Sequence, residues 1–468
     1  MTISKMFGTA VKICYTDQSR IFMTVKITTG IFLCVLVTLA GCATAKDAEM
    51  SEGTAKTLTS VTAYDTIGKN FSGGSVTITP DKPDALYSLG EECLFHAEIK
   101  DADGNVIPTG IAEVLIYSNY AMPVKMNIPF SPEQPLQIKA SSLEPGFTAI
   151  EVRYPAGEKE FTSAGAGVGF APGQLHPVSR EPEDFDRFWN NAIAEQSKIP
   201  ADMIITPLPE FDEPGYNAFR ISFANINNTR IHGFMTIPSA PGKYPMFLSV
   251  PGAGPRDTRP VKLEEVDNLK AITVVLNVFP FELPTSYDAA EKLLAEHYNG
   301  NPSSYYKAEK DYRDFFFYRA IVGINRAVSE LATHPKYNGK MVYWGSSQGG
   351  AMGVALTALN KNIDAMVVNV PADFRKLFLR AEYASGDSGY LCYADYFSAE
   401  NFARRITVPV LVSAGLIDFD CPPTTISRWF NILPSKDKKI VYIPGMGHDF
   451  DDNYQQLTAE FIAEHLEI

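Results

Sequence analysis

The sequence predicts two domains in series: a small antiparallel β-sandwich, then a mostly parallel sheet with helices on both faces. Three observations predict it. From about residue 59 to 170, short strand-like runs are separated by Gly, Pro and Asp at near-regular spacing, with hardly any helical stretch. From residue 171 to the end, strand-like and helix-like segments take turns, the pattern of a parallel sheet covered on both sides. A chain of 468 residues is long for one domain, and 45% hydrophobic with 12% aromatic residues supplies a large core. The formal charge of -13 argues against a nucleic-acid partner, because a phosphate binder needs a basic face.

Residues 30–40 form an uncharged, mostly apolar run behind Lys26. That is shorter than the roughly 20 residues a membrane-spanning helix needs, and it reads as the core of an export signal. It ends in Leu39-Ala40-Gly41-Cys42, which resembles the bacterial lipobox. Residues 1–41 are therefore expected to be a lipoprotein signal peptide and Cys42 the lipidated N-terminus, which anchors an exported bacterial protein to a membrane, periplasmic or at the cell surface. The alternative is an ordinary secretory signal with an incidental cysteine. Met23 offers a second start that would give a signal of more usual length. Residues 42–58 are small and polar and suit a flexible tether. Beyond Cys42 the mature chain keeps Cys93, Cys392 and Cys421, with no Cys-x-x-Cys pattern for a metal. A bridge between Cys392 and Cys421 would suit an oxidising periplasm.

In the front domain, residues 93–100 partly alternate, Asp101-Ala102-Asp103-Gly104 supplies a turn, and strand-like runs follow at 113–117, 136–140, 147–154 and 161–170. Tyr87, Tyr117, Tyr120 and Phe130 have rings that can stack on a sugar, but aromatics in a sandwich are mostly core. A spacer that lifts the second domain off the membrane is the simpler role.

The second domain opens with Pro182-Glu183-Asp184-Phe185-Asp186-Arg187-Phe188-Trp189, a helix start with Phe185, Phe188, Trp189 and Ile193 on one face. Strand-like runs follow at 218–223, 231–237, 245–250 and 271–277, the last two apolar enough to be buried on both faces. Residues 314–332 are helical, with Ile321, Ile324, Val328 and Leu331 in one stripe. Strands at 365–370, 408–414 and 440–443 then alternate with helices at 424–433 and 457–465.

Between the long helix and that last series, the apolar run 341–344 meets Gly345-Ser346-Ser347-Gln348-Gly349, followed by a helix-forming segment. This is the sequence form of a nucleophile elbow, in which Gly345 and Gly349 leave room for a serine on a strained strand-to-helix turn. An α/β-hydrolase fold then requires an acid and a histidine downstream, each after a strand. Asp418 lies nearest the end of strand 408–414, with Asp420 as fallback. His448 alone of the seven histidines lies in the loop at the exit of the last strand, in Pro444-Gly445-Met446-Gly447-His448. Ser347, Asp418 and His448 thus read as nucleophile, orienting acid and general base. The oxyanion donors are expected to be the backbone N–H groups of Gln348 and of Ala253, in the loop Ser249-Val250-Pro251-Gly252-Ala253-Gly254.

From about His176 onward the chain resembles the acetyl xylan esterase and cephalosporin-C deacetylase family, carbohydrate esterase family seven. The matching stretches are the helix entry at 182–189, Tyr318-Arg319-Ala320, Gly345-Ser346-Ser347-Gln348-Gly349-Gly350, Gly415-Leu416-Ile417-Asp418 with Cys421-Pro422-Pro423, and Gly447-His448. The resemblance implies a small acetylated saccharide as substrate, no metal or other cofactor, and often a ring-like homo-oligomer. Two departures bear on the pocket: Ala253 stands where the family's oxyanion loop carries a tyrosine, and Leu276-Asn277-Val278-Phe279-Pro280-Phe281 replaces its Arg-Gly-Gln-Gly element. The sandwich lies outside the resemblance; Leu143-Glu144-Pro145-Gly146-Phe147 in it resembles a turn of bacterial immunoglobulin-like modules. Competing readings are a prolyl-oligopeptidase-like or dienelactone-type hydrolase, which share the triad order, and a non-catalytic sugar-binding surface lipoprotein, which the complete triad disfavours.

Overall fold

The structure is a computed structural model that describes residues 10–17, 20–26, 32–38, 74–155, 160–256, 259–261, 270–298, 312–385 and 391–466. The tether and Cys42 lie outside the described residues. Three strands, β1 (Ala10–Asp17), β2 (Arg20–Lys26) and β3 (Phe32–Thr38), pair antiparallel in chain order. The run read as a signal core thus contains a strand, in keeping with its Val and Thr content.

The chain divides into two compact units. The first holds Met1–Leu175 together with Gly415–Thr424 and Tyr442–His448, and the second the remainder. The first of these units has its main break after Leu175. The two downstream segments assigned to the first unit had no signature in the sequence.

The sandwich of the first unit is built from β4 (Ser75–Pro80), β5 (Leu86–Tyr87), β6 (Cys93–Lys100), β7 (Gly110–Ser118), β8 (Val124–Phe130), β9 (Gln137–Ala140), β10 (Gly146–Pro155) and β11 (Phe161–Phe170). One sheet runs β4-β6-β9 and the other β5-β11-β10-β7-β8, antiparallel except for the short β5–β11 pair. Alternate residues such as Val76, Ile78, Phe95, Val114, Ile116, Ile150, Val152 and Val168 form one buried core, as the period-2 geometry of a strand requires. Tyr87, Tyr117 and Phe130 are buried, which settles them as packing residues.

The second unit carries a nine-stranded sheet formed from β12 (Ile204–Pro207), β13 (Tyr216–Asn225), β14 (Thr229–Pro238), β15 (Tyr244–Val250), β16 (Ile272–Leu276), β17 (Tyr337–Ser346), β18 (Ala365–Asn369), β19 (Val410–Gly415) and β20 (Lys438–Ile443). Its order is β12-β13-β14-β16-β15-β17-β18-β19-β20. The first three strands are antiparallel, and β16, β15, β17, β18 and β19 pair parallel in succession. Every residue of β16, β18 and β19 is buried, the mark of strands covered on both faces.

The helices are α1 (Phe185–Ser197), α2 (Tyr287–His297), α3 (Phe316–Leu331), α4 (Gln348–Leu359), α5 (Phe374–Ser385), α6 (Ala399–Ala403), α7 (Pro423–Asn431) and α8 (Asp452–His465). In α1 the buried line is Phe185, Trp189, Ala192 and Gln196 rather than the line through Ile193. Gln196 is usable there because its amide donates to the Ala224 carbonyl and accepts from the Ile226 N–H. Helix α3 is buried well beyond one stripe, Arg319 and Asn325 included. Cys421 is buried as a reduced thiol, and the side chain of Cys392, its expected bridge partner, lies outside the described residues.

Candidate active site

Strand β17 passes into helix α4 with Ser347 alone between them, at φ 54 and ψ -116. A side chain in that region of backbone space costs about 1–3 kcal/mol and persists only where its surroundings over-determine it. They do so here. The Ser347 N–H donates to the Asn369 carbonyl at 3.0 Å, and the Ser347 carbonyl accepts from Ala351 and Ala372 at 3.0 and 2.9 Å. The Tyr343 hydroxyl closes the turn from below by donating to the Gly349 carbonyl at 2.6 Å. A Cβ at Gly345 would stand 2.5 Å from the Gly349 oxygen, and one at Gly349 only 1.9 Å from the Val250 oxygen. The serine therefore sits at the amino end of α4, where unpaired N–H groups and the helix dipole favour negative charge.

The same close approach brings the end of β15 against the start of α4. The Gln348 side chain is buried, and its amide donates to the Pro251 carbonyl at 3.5 Å. Ala253 lies in the exposed turn that follows, with its carbonyl held by the Arg256 Nε at 2.9 Å. A carbonyl tied down in this way fixes the peptide planes around it, which is what a backbone oxyanion donor needs.

The acid and the histidine belong to the first compact unit, on the two segments that follow β19 and β20. Asp418 is completely buried, while the His448 side chain keeps 31% exposure. One carboxylate oxygen of Asp418 accepts the backbone N–H groups of Asp420 and Cys421, both at 2.8 Å. The other faces His448 Nδ1 at 2.8 Å. Asp420 thus props the acid through its backbone, and Asp418 is the residue that meets the imidazole. With Nδ1 committed to Asp418, Nε2 is the nitrogen left for proton exchange. Burial opposes protonation of His448, but hydrogen bonds and favourable electrostatics from Asp418 and Cys421 outweigh it and push its pKa up to about 10.

Two contributors escaped the sequence. Asn369, at the end of β18, bonds through its side chain to the hydroxyls of Ser346 and Ser413 and to the carbonyl of Asp449, while its own carbonyl receives the Ser347 N–H. An asparagine at a strand end carries no motif. Cys421 lies beside His448, where the sequence offered it as a bridge candidate and as part of a matching stretch that gave it no role. The ligand atoms of Asp418, Cys421 and His448 lie within 4.8 Å of one another, the one such group among the described residues. Both Asp418 oxygens are already engaged as acceptors, an arrangement suited to holding an imidazole.

The family described as acetyl xylan esterase (AXE1) matches residues 174–390 and 377–465, more than half of the chain. Acetyl esterase Axe7A of Xylanibacter ruminicola is 28% identical over 309 residues, 62% of this chain and 69% of that protein. Acetyl xylan esterase 1 from Thermoanaerobacterium sp. JW/SL YS485 has the same fold, with a TM-score of 0.53 at 19% identity over 64% of this chain and 98% of that one. Acetyl xylan esterase from Paenibacillus sp. R4 gives 0.52 at 18% over 63% and 98%. The parallel sheet with its helices agrees with these likenesses, and the family match spans more than half of the residues: the chain belongs to the acetyl xylan esterase family of carboxylic ester hydrolases.

Proposed function

We propose that this protein is a serine esterase that removes acetyl groups from acetylated, xylose-based saccharides through an acyl-enzyme on Ser347. The observation that carries the reading is the pairing of a fully buried Asp418 with His448 Nδ1 at 2.8 Å, which leaves Nε2 to serve the nucleophile. In this mechanism Ser347 Oγ attacks the acetyl carbonyl carbon and its proton passes to His448 Nε2. The N–H groups of Gln348 and Ala253 stabilise the oxyanion. Collapse breaks the bond to the sugar oxygen, which leaves as an alcohol with the proton from His448. Water then attacks the acetyl-enzyme, gives a proton to His448, and releases acetate as Ser347 regains its hydrogen. Asp418 fixes the tautomer and stabilises the imidazolium throughout. The same reading places the enzyme on an N-terminal lipid at Cys42, with the saccharide outside the cytoplasm.

Acetate release from acetylated xylo-oligosaccharides and monosaccharides, and turnover of p-nitrophenyl acetate against longer acyl esters and aminoacyl anilides, tests this. The expected result is preference for acetyl esters, lost in Ser347→Ala by a factor of about a million. Turnover of anilides alone, or unchanged acetate release from Ser347→Ala, would overturn it.

A further inference from the structure

We infer that the front sandwich is a working part of the catalytic machinery, in which Tyr117 and Tyr120 act as positioning residues that hold the loop carrying Asp418; this rests on the triad proposed above. The loop 415–424 and the His448 loop 442–448 are both counted within the sandwich's compact unit. Leu416, two residues before the acid, has no exposed surface and belongs to the sandwich's own hydrophobic core. The hydroxyl of the half-buried Tyr120 donates to the Leu416 carbonyl at 2.9 Å. Phe419, the residue after the acid, is gripped edge-on by the rings of Tyr117 at 4.8 Å and Tyr120 at 5.2 Å. Asp418 is thus bracketed in sequence by two residues seated in the sandwich.

The grip is fixed from behind. The Tyr117 hydroxyl bonds to Glu151, a carboxylate with no exposed surface that Arg153 holds through two hydrogen bonds of 2.6 and 2.9 Å. Tyr120 is aimed by two consecutive left-handed residues, Asn119 at φ 46 and itself at φ 62, and the Asn119 side chain accepts the Phe147 N–H at 3.0 Å. The histidine loop is held as well. Gly167 donates to the Pro444 carbonyl at 2.8 Å, Tyr442 packs against Phe147, and a Cβ on Gly167 would stand 2.2 Å from the Leu416 oxygen. Leu416 and Ile417 donate to the Ile443 and Met446 carbonyls at 3.0 and 3.1 Å, so the two loops brace each other.

A spacer has no use for such contacts. A catalytic acid does, because a shift of about 1 Å in a reacting group costs on the order of a hundredfold in rate. Loosening the Asp418 loop lengthens the His448 hydrogen bond, and removing an interaction needed in the transition state lowers kcat while leaving KM in place.

Two variants of the full chain test this. Tyr120→Phe deletes one hydroxyl, and Phe419→Leu deletes the clasped ring. Each is assayed for kcat and KM on p-nitrophenyl acetate, for the acidic limb of the pH profile, and by proton NMR for the downfield Nδ1–H of His448, assigned by its absence in His448→Gln. The expected result is kcat lowered about threefold in Tyr120→Phe and about tenfold in Phe419→Leu with KM within about twofold. The limb moves toward lower pH as His448, faced by Asp418 and Cys421, loses part of the negative field that raises it, and its Nδ1–H signal broadens. Folded variants with parental kcat, limb and resonance would overturn the inference, as would a lowered Tm with all three unchanged. If the parent shows no Ser347-dependent turnover, the esterase reading fails, and the Nδ1–H resonance still decides whether the sandwich holds the Asp418–His448 pair.

Discussion

The Cys421 side chain shows how much of a site can hang on a residue whose motif gives it no role. The thiol shares His448 with Asp418, and both raise the imidazole above its ordinary 6.5. A base must be neutral to accept a proton, so kcat/KM is expected to rise with pH through a limb displaced above that value. Replacing Cys421 with Ala removes one of the raising influences, and the limb should move to lower pH with kcat on the plateau largely kept. Asp418→Asn should also lower the limb, and in addition reduce kcat by about 10⁴-fold because the amide favours the wrong tautomer. Rates measured from pH 5 to 10 separate the two, and a Cys421→Ala limb at the parental position would show that the thiol does not act on the base. Asp418 and His448 were legible because each is the first candidate of its type after a strand, in the chain order the chemistry demands. Cys421 and Asn369 were not, because their roles come from what the fold sets beside them.

The elbow between β17 and α4 was readable at the level of single glycines because its demands are local. Gly349→Ala would push a methyl group to 1.9 Å from the backbone oxygen of Val250, which no side-chain rearrangement relieves. We expect a loss of about 3 kcal/mol or more in stability, read from chemical denaturation, together with a fall in kcat as β15 and α4 separate. A stable, fully active variant would mean that the close approach is not needed. Other elements were harder to read. Helix α4 is buried on nearly all sides, has no polar face to give it a period, and was readable only as the helix that an elbow leads into. β5 has only two residues and β12 four, too short to leave a pattern. The parallel strands were legible because β15, β16, β18 and β19 are apolar runs bounded by turn residues.

At the scale of the whole chain, the alternation of strands and helices behind His176 marked the sheet. The membership of residues 415–424 and 442–448 in the front unit could not be read, because a contact between distant parts of a sequence leaves no local period. The proposed anchor is a property of the same scale. Labelling with a palmitate analogue should mark the parent and not Cys42→Ala; equal uptake by both would end the lipoprotein reading.

Leu416 fills a place in the sandwich core, yet it is made more than two hundred residues after the last sandwich strand. The growing chain therefore has a front domain with an apolar vacancy through most of its synthesis, which closes only when the acid segment arrives. Contacts so far apart in sequence form slowly and leave unfinished surface available to chaperones or to other chains. Export before folding would postpone that exposure until the polypeptide is whole, and a front module borrowed from another protein would arrive without the socket into which this leucine fits.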